Sequence, residues 1–286
     1  MLAAALRTSK SQARKLIVVG AVRVDGRTVR QPGRPLLARA SVEANVRPWA
    51  PRLPADRPFE ITPAAVLFED EALIAIDKPP GLPSQPTVDA ARPSLVSAVK
   101  KYLGPGAYLG VHQRLDRDTS GIVLFAKDAR ANPGLARAFA ERGVVKVYVA
   151  LTCRGRVDHE EPWQAASRLS PTEGKPPRVR VVASGGLPAT TQFRVLKRLQ
   201  EAWLVEARPL TGRKHQIRVH LAADGLAILG DALYGGAAQV AGARVPRTML
   251  HAARLELAHP LTGQRLLIES PMPADFFRVM RAVAAP

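Results

Sequence analysis

Two stretches of this chain concentrate the groups from which chemistry is made. The first, His112 to Asp128, reads HQRLDRDTSGIVLFAKD. Arg114, Asp116, Arg117 and Asp118 crowd together, and the turn formers Asp118 to Gly121 lead into the apolar run Ile122 to Ala126. A short apolar run with β-branched and aromatic members is the pattern of a buried strand. A carboxylate flanked by two arginines at the lip of such a strand sits where pKa values shift, so Asp116 is a candidate chemical group. Spacing alone favours the other reading, a charged turn whose side chains are solvated or paired. The second stretch, TGRKHQIRVHL from Thr211 to Leu221, reads as a helix with Thr211 as N-cap and with Ile217 and Leu221 on one buried face. Arg213 and Lys214 would then fall in the first helical turn, where the macrodipole disfavours cations. That placement makes sense if an anion, phosphate or carboxylate, is held at the helix start.

Other catalytic arrangements are absent from the sequence. The six histidines, His112, His159, His215, His220, His251 and His259, include no HExxH pair, and no carboxylate cluster suits two-metal work. A metal-dependent nuclease is therefore not supported. There is no G-x-S-x-G elbow for a serine hydrolase and no Walker or dinucleotide glycine pattern for ATP or NAD. Cys153 is the single cysteine, so no intrachain disulfide is possible and a reducing compartment is expected. It reads as an inert strand residue.

Charge points to the partner. Forty-two basic against 24 acidic residues give a net charge of +18 and a pI near 11.0. The balance calls for a polyanion, nucleic acid ahead of an acidic membrane surface. No apolar run approaches a membrane span, and the start Met1 to Leu6 is too short for a signal-peptide core. A soluble, cytoplasmic protein with no membrane partner is expected.

The elements that must position these groups follow in order. From Ser9, the residues Ala13, Leu16 and Ile17 recur at helical spacing with Lys10, Arg14 and Lys15 between them, and Gly20 supplies a stop. Val22 to Val24, the turn pair Asp25-Gly26 and a second alternating stretch predict a hairpin. Residues 1 to 60 hold 12 Lys or Arg and 4 Asp or Glu, a net of +8 on a fifth of the chain. Five prolines between Arg47 and Pro63 predict a stiff linker. Short strands are expected at Val66 to Phe68 and Leu73 to Ile76, then a sharp break at Lys78-Pro79-Pro80-Gly81-Leu82. Further on, a helix over Leu135 to Arg142 ends at Gly143, and strands run over Val144 to Leu151, Ala189 to Leu196 and Trp203 to Ala207. Pro171 to Arg180, with Lys175, Arg178 and Arg180, reads as a mobile loop able to close over RNA, and Pro271 to Ala284 closes the chain with a helix.

The motifs resemble a known family. RLDxxTSG before an apolar strand is similar to the central signature of the RluA-like pseudouridine synthases; Arg114, Leu115, Asp116, Thr119, Ser120 and Gly121 all fit, though Gln113 separates His112 from Arg114 where many members run His directly into Arg. TGRxHQIRxHL is shared with the same family, as are Lys-Pro-x-Gly-Leu at Lys78, Lys-x-Tyr at Tyr148, Gly230-Asp231-x-x-Tyr234-Gly235 and Leu250-His251-Ala252, the last two read as structural. The lysine usual before Ala-x-Thr is missing at Gly186-Leu187-Pro188. The helix and hairpin at the start resemble the S4-like RNA-binding domain. The resemblance implies an α+β fold with a mixed, mainly antiparallel sheet around a central cleft. It divides the chain into an S4-like domain at 1–48, a linker at 49–62 and a catalytic domain at 63–286.

It also implies roles. Asp116 would be the nucleophile that isomerises uridine to pseudouridine, with Arg218 as its ion-pair partner and Tyr148 facing the base. Arg114 would fill the gap left by an extruded uridine. Lys78, Arg213, Lys214, Lys10, Arg14 and Lys15 are the candidate RNA contacts; for Lys78 a solvated turn lysine is an equal alternative. No cofactor and no metal are required. The expected partner is RNA, ribosomal RNA (large-subunit by analogy) ahead of transfer RNA, and the expected state a monomer. The rival reading is a non-catalytic RNA-binding or ribosome-assembly protein on a synthase scaffold.

Overall fold

The computed structural model describes residues 13–14, 17, 22–29, 31–33, 35–36, 38, 40–44, 59–86, 93–155, 160–174 and 178–284. Lys10, Lys15, most of the proline-rich linker and Lys175 lie outside them. Two compact units emerge, Met1–Trp49 with Gly174–Pro177, and Ala50–Glu173 with Arg178–Pro286.

In the first unit, Ala13, Arg14 and Ile17 are helical, and strands β1 (Val22–Val24), β2 (Arg27–Val29) and β3 (Val42–Ala44) form an antiparallel sheet with β1 in the middle. The expected Asp25-Gly26 hairpin is present. Both residues have positive φ, 48° and 73°, as a two-residue turn with the strands' own twist demands. The Asp25 carboxylate accepts the Ser41 N–H at 2.8 Å, tying the turn to the approach of β3.

The second unit is built on β4 (Val66–Glu69), β5 (Leu73–Lys78), α1 (Leu95–Leu103), β6 (Gly110–Val111), β7 (Ser120–Ala126), α2 (Ala131–Ala140), β8 (Val145–Cys153), β9 (Trp163–Leu169), β10 (Val181–Val182), β11 (Leu187–Arg198), β12 (Ala202–Pro209), α3 (Gln216–Ala223), β13 (Gln239–Val240), β14 (Ala243–Arg244), β15 (Leu250–Ala258), β16 (Arg265–Glu269) and α4 (Ala274–Ala284). Eleven strands make one sheet in the order β10-β9-β11-β12-β8-β15-β7-β5-β4, with β16 added beside β15 and β6 beside β7. Among the described residues β15 against β7 is its one parallel pairing. This is the mixed, mainly antiparallel α+β architecture expected.

The strand β7 shows why the motif residues end up fixed. All seven of its residues are buried, and alternation splits them between two faces. Ile122 and Leu124 pack with Leu135 of α2, whereas Val123 and Phe125 pack with Leu95 and Val99 of α1. Each such side chain contributes about 1.5–3 kcal/mol of transfer free energy, so the strand cannot slip without losing both faces. Its start is equally constrained. Gly121 has φ 107°, and a Cβ there would stand 2.2 Å from the carbonyl oxygen of Ala252 on β15. Only glycine lets the two parallel strands meet.

The helix expected over Leu135 to Arg142 instead spans Ala131–Ala140. It starts earlier because Pro133 falls in the first turn, where its missing N–H has no helical partner to lose. It ends before Gly143 because Arg142 itself turns left-handed at φ 63°, and Gly143 N–H then reaches the Ala138 carbonyl at 2.9 Å.

Candidate active site

Asp116 sits in the loop between β6 and β7, and that loop is held from three sides. Ser84 brackets the preceding residue: its hydroxyl donates to the Leu115 carbonyl at 2.8 Å and accepts the Leu115 N–H at 3.0 Å. Lys78, at the end of β5, is 0% exposed and gives its three ammonium protons to the carbonyls of Pro79, Leu82 and Arg117 at 3.0, 2.9 and 3.0 Å. Arg247, before β15, donates one Nη to the carbonyls of Asp118, Thr248 and Leu250 and is neutralised by Asp275 at the start of α4. Two buried cations thus position the backbone on which the carboxylate stands. Lys78 is corrected by this geometry: it is neither solvated nor free to meet a phosphate. Burial pulls its pKa down to about 7, against the opposing pull of Asp118 and Asp116.

The Asp116 side chain, 21% exposed, meets Arg218 from α3, 102 residues later: Nη1 donates to Oδ2 at 2.7 Å. The rest of the guanidinium is occupied. Nε and Nη2 grip both oxygens of Asp231 at 2.6 and 2.8 Å, and the ring of Tyr234 lies under it, 5.0 Å from Cζ to centroid. Burial works against the charge on Arg218, but the bonds and charges of Asp231 and then Asp116 outweigh it and carry its pKa above the ordinary arginine value. A planar fork satisfied on every side cannot rotate away from its carboxylate.

His215 completes the arrangement. It adopts φ 57°, its Nδ1 lies 2.8 Å from the Tyr234 hydroxyl, and its Nε2 lies 3.8 Å from Asp116 Oδ2. Burial lowers its pKa to about 4 despite the attraction of Asp116, so the ring is neutral at neutral pH. The Tyr234 oxygen accepts the Val179 N–H at 3.0 Å, which leaves its own proton for Nδ1. That assigns the remaining ring proton to Nε2, facing Asp116. Arginine and histidine therefore both address Oδ2, and among the described residues Oδ1 is left without a donor.

The segment Thr211 to His215 is not the first turn of a helix. The helix begins at Gln216, whose buried side chain accepts from Thr211 Oγ1 at 2.6 Å and from Arg213 N–H at 3.0 Å and donates to Thr190 O at 2.9 Å. Thr211 is thus a strut to Gln216, not a cap, and Arg213 and Lys214 project as exposed residues from the loop and turn that precede the helix, where Gln216 N–H reaches back to the Arg213 carbonyl at 3.2 Å.

Asp116, Tyr148, His215 and Arg218 line one cleft of about 910 Å³, with Arg114, Arg142, Lys146, Arg208, Arg213 and Lys214 around them. Tyr148 is on β8, opposite Ala207 of β12 and Ala252 of β15, and is half-buried. Burial, helped by the Asp116 charge, pushes its hydroxyl well above the ordinary tyrosine range. Arg114 is exposed at the rim of the cleft. Arg14, in the other unit, is also an exposed residue. Asp231 and Tyr234 belong to the site and not merely to a turn; in the sequence their motif reads as structural because its glycines and tyrosine fit turn and core needs. The signal was a buried Arg218 needing more than one partner. His251, by contrast, is a structural residue, bridging Ser120 Oγ at 3.0 Å and Ser270 O at 3.1 Å.

Comparison with known proteins agrees with this geometry. Residues 72–223, just over half of the chain, match the family described as RNA pseudouridylate synthase, and residues 2–40 match the S4 domain. Ribosomal large subunit pseudouridine synthase D of Nitrosomonas europaea is 37% identical over 233 residues, covering 78% of this chain and 66% of that protein. Its namesake in Zymomonas mobilis is 31% identical over 288 residues, covering 94% and 87%. Among solved structures, human RNA pseudouridylate synthase domain containing 4 superposes with a TM-score of 0.62 at 27% identity, covering 77% of this chain and 93% of that one. The matched residues are those that build the cleft, and the likeness extends along most of the related chains: the protein belongs to the RNA pseudouridylate synthase family and is an RNA pseudouridine synthase.

Proposed function

We propose that the protein isomerises specific uridines of large-subunit ribosomal RNA to pseudouridine, with Asp116 as nucleophile and no cofactor. The reaction breaks the bond from ribose C1′ to uracil N1, turns the base, forms the bond from C1′ to C5, gives up the C5 proton and leaves N1 protonated, so that no atom is gained or lost overall. No electrons are gained or lost overall, so the chemistry calls for a carboxylate and a proton acceptor only. The observation that carries the reading is the bridge of Arg218 between Asp116 and Asp231, which holds one carboxylate aimed into the cleft while, among the described residues, its Oδ1 has no donor. Tyr148 lies on the same cleft, where its ring faces the base; its hydroxyl, raised by burial, stays protonated at working pH. Arg114, exposed at the rim, fills the space left in the RNA when the uridine is drawn out.

The substrate class rests on the names of the relatives, which are large-subunit ribosomal enzymes, and on a net charge of +18. Residues 1–48 form the S4-like domain that docks RNA through phosphate contacts, Arg14 among them; 49–62 is the linker and 63–286 the catalytic domain. Arg213 and Lys214 add contacts along the cleft. The test is to incubate the native protein with large-subunit ribosomal RNA from cells lacking it and to map pseudouridines. New sites with native protein and none with Asp116→Asn support the reading; binding without modification would leave only the RNA-binding alternative.

A further inference from the structure

Of the cations lining the cleft, Arg114, Arg142 and Lys214 are exposed to solvent and the buried or paired ones have partners, with one exception. Arg218 and Lys78 are saturated, Arg208 is paired with Glu206 at 2.9 Å, and Arg213 Nε reaches the Pro188 carbonyl at 3.2 Å. Lys146 lines the same cleft, is half-buried, and among the described residues has neither carboxylate nor carbonyl to hold it. Burial lowers its pKa, and no neighbouring charge offsets that effect. A partly desolvated ammonium without a counter-charge is unfavourable in the free protein and becomes favourable when an anion arrives.

Its position says which anion. Lys146 and Tyr148 are two residues apart on β8, so they emerge on one side of the sheet, about 6.8 Å apart along the strand. Lys146 pairs with Leu255 of β15, which packs in the same cluster as Phe139 of α2. His112 stacks on the Phe139 ring at 6.2 Å and is anchored to Asn132 at 2.7 Å. Gln113, next along the chain, also lines the cleft and keeps a buried amide nitrogen with no acceptor. Lys146 and Gln113 thus line the same cleft as Tyr148 and Phe139, each with a donor unspent.

We propose that this lobe is a subsite for the nucleotide adjoining the target uridine, with Lys146 taking a backbone phosphate oxygen of the bound RNA. The assignment rests on the reading that Tyr148 faces the target base. Gln113 supplies a second, uncharged donor to the same nucleotide. A compact ammonium with three donors suits a single phosphate, and the two-residue offset from Tyr148 places it one backbone step from the base.

Equilibrium binding tests this apart from catalysis. The full chain carrying Asp116→Asn binds unmodified large-subunit ribosomal RNA transcript over a range of salt, with Lys146 intact, changed to Gln, or changed to Arg. Lys146→Gln is expected to weaken binding about tenfold and to reduce the slope of log K against log salt by about 0.7–0.9, the value for one phosphate contact. Lys146→Arg should restore the slope. A slope that Lys146→Gln leaves unchanged overturns the proposal, whatever its effect on activity, and so does an Arg variant that fails to restore it. Because no chemical step is read, a native protein that binds RNA without modifying it would sink the proposed function and leave this measurement intact.

Discussion

Asp231→Asn isolates the part of the site that no chemistry touches. The Asp231 side chain is 1% exposed and that of Arg218 11%, and two bonds of 2.6 and 2.8 Å join them. Removing one partner of a buried pair costs about 3–5 kcal/mol when the other is left alone. Arg218 would not be alone, because Asp116 remains 2.7 Å away, so a loss of roughly 2–3 kcal/mol is the appropriate figure. At about 2–4 °C per kcal/mol for a domain of this size, the melting temperature should fall by roughly 4–12 °C. Activity should fall further than stability. With Nε and Nη2 unanchored the guanidinium can turn, and displacement of a catalytic group by about 1 Å costs on the order of a hundredfold. The assay is thermal unfolding alongside single-turnover modification, completed by Arg218→Met and the double variant. Because the double variant removes both charges, its stability loss should be smaller than the sum of the single losses. A loss under about 0.5 kcal/mol for Asp231→Asn, or simple additivity, would refute the reasoning that Asp231 fixes Arg218.

Two further outcomes follow from the same structure. His215 has its pKa depressed to about 4 in the fold against an ordinary value of 6.5, so the unfolded chain binds the extra proton first as pH falls. Stability should therefore drop between pH 6.5 and 4, by on the order of 1–2 kcal/mol after discounting for solvent, and denaturant midpoints of His215→Gln should show a shallower drop; equal slopes would contradict it. Gly121→Ala forces a Cβ to 2.2 Å from the Ala252 carbonyl at φ 107°. It should cost roughly 4 kcal/mol or more, read as lost soluble yield, and a variant melting within a few degrees of native would show that the parallel pairing tolerates a shift.

Local pattern revealed much of this architecture and long-range packing the rest. The strand at Ile122 to Ala126 was legible because every residue in it is apolar, and the structure buries the whole of β7. The Asp25-Gly26 hairpin was legible because the turn type dictates its residues. The Asp116 to Arg218 pairing was implied by motif resemblance and could not come from spacing, since 102 residues intervene. Thr211 misled because a threonine ahead of an apolar face looks like a cap, whereas Gln216 competes for its hydroxyl at 2.6 Å and the helix starts at Gln216. Lys78 misled for a different reason. A lysine beside a proline turn reads equally as an RNA contact or as solvated, and only the folded chain shows three carbonyls converging on it.

The central claim is that the Asp116 carboxylate performs the chemistry while the surrounding network only aims it. Single-turnover modification of saturating ribosomal RNA by Asp116→Asn, compared with native protein at matched RNA binding, tests that claim directly. The account predicts a rate loss of at least about 10⁴-fold, the scale for removing a nucleophile, with RNA affinity retained. Turnover within tenfold of native would mean that another group attacks the uridine.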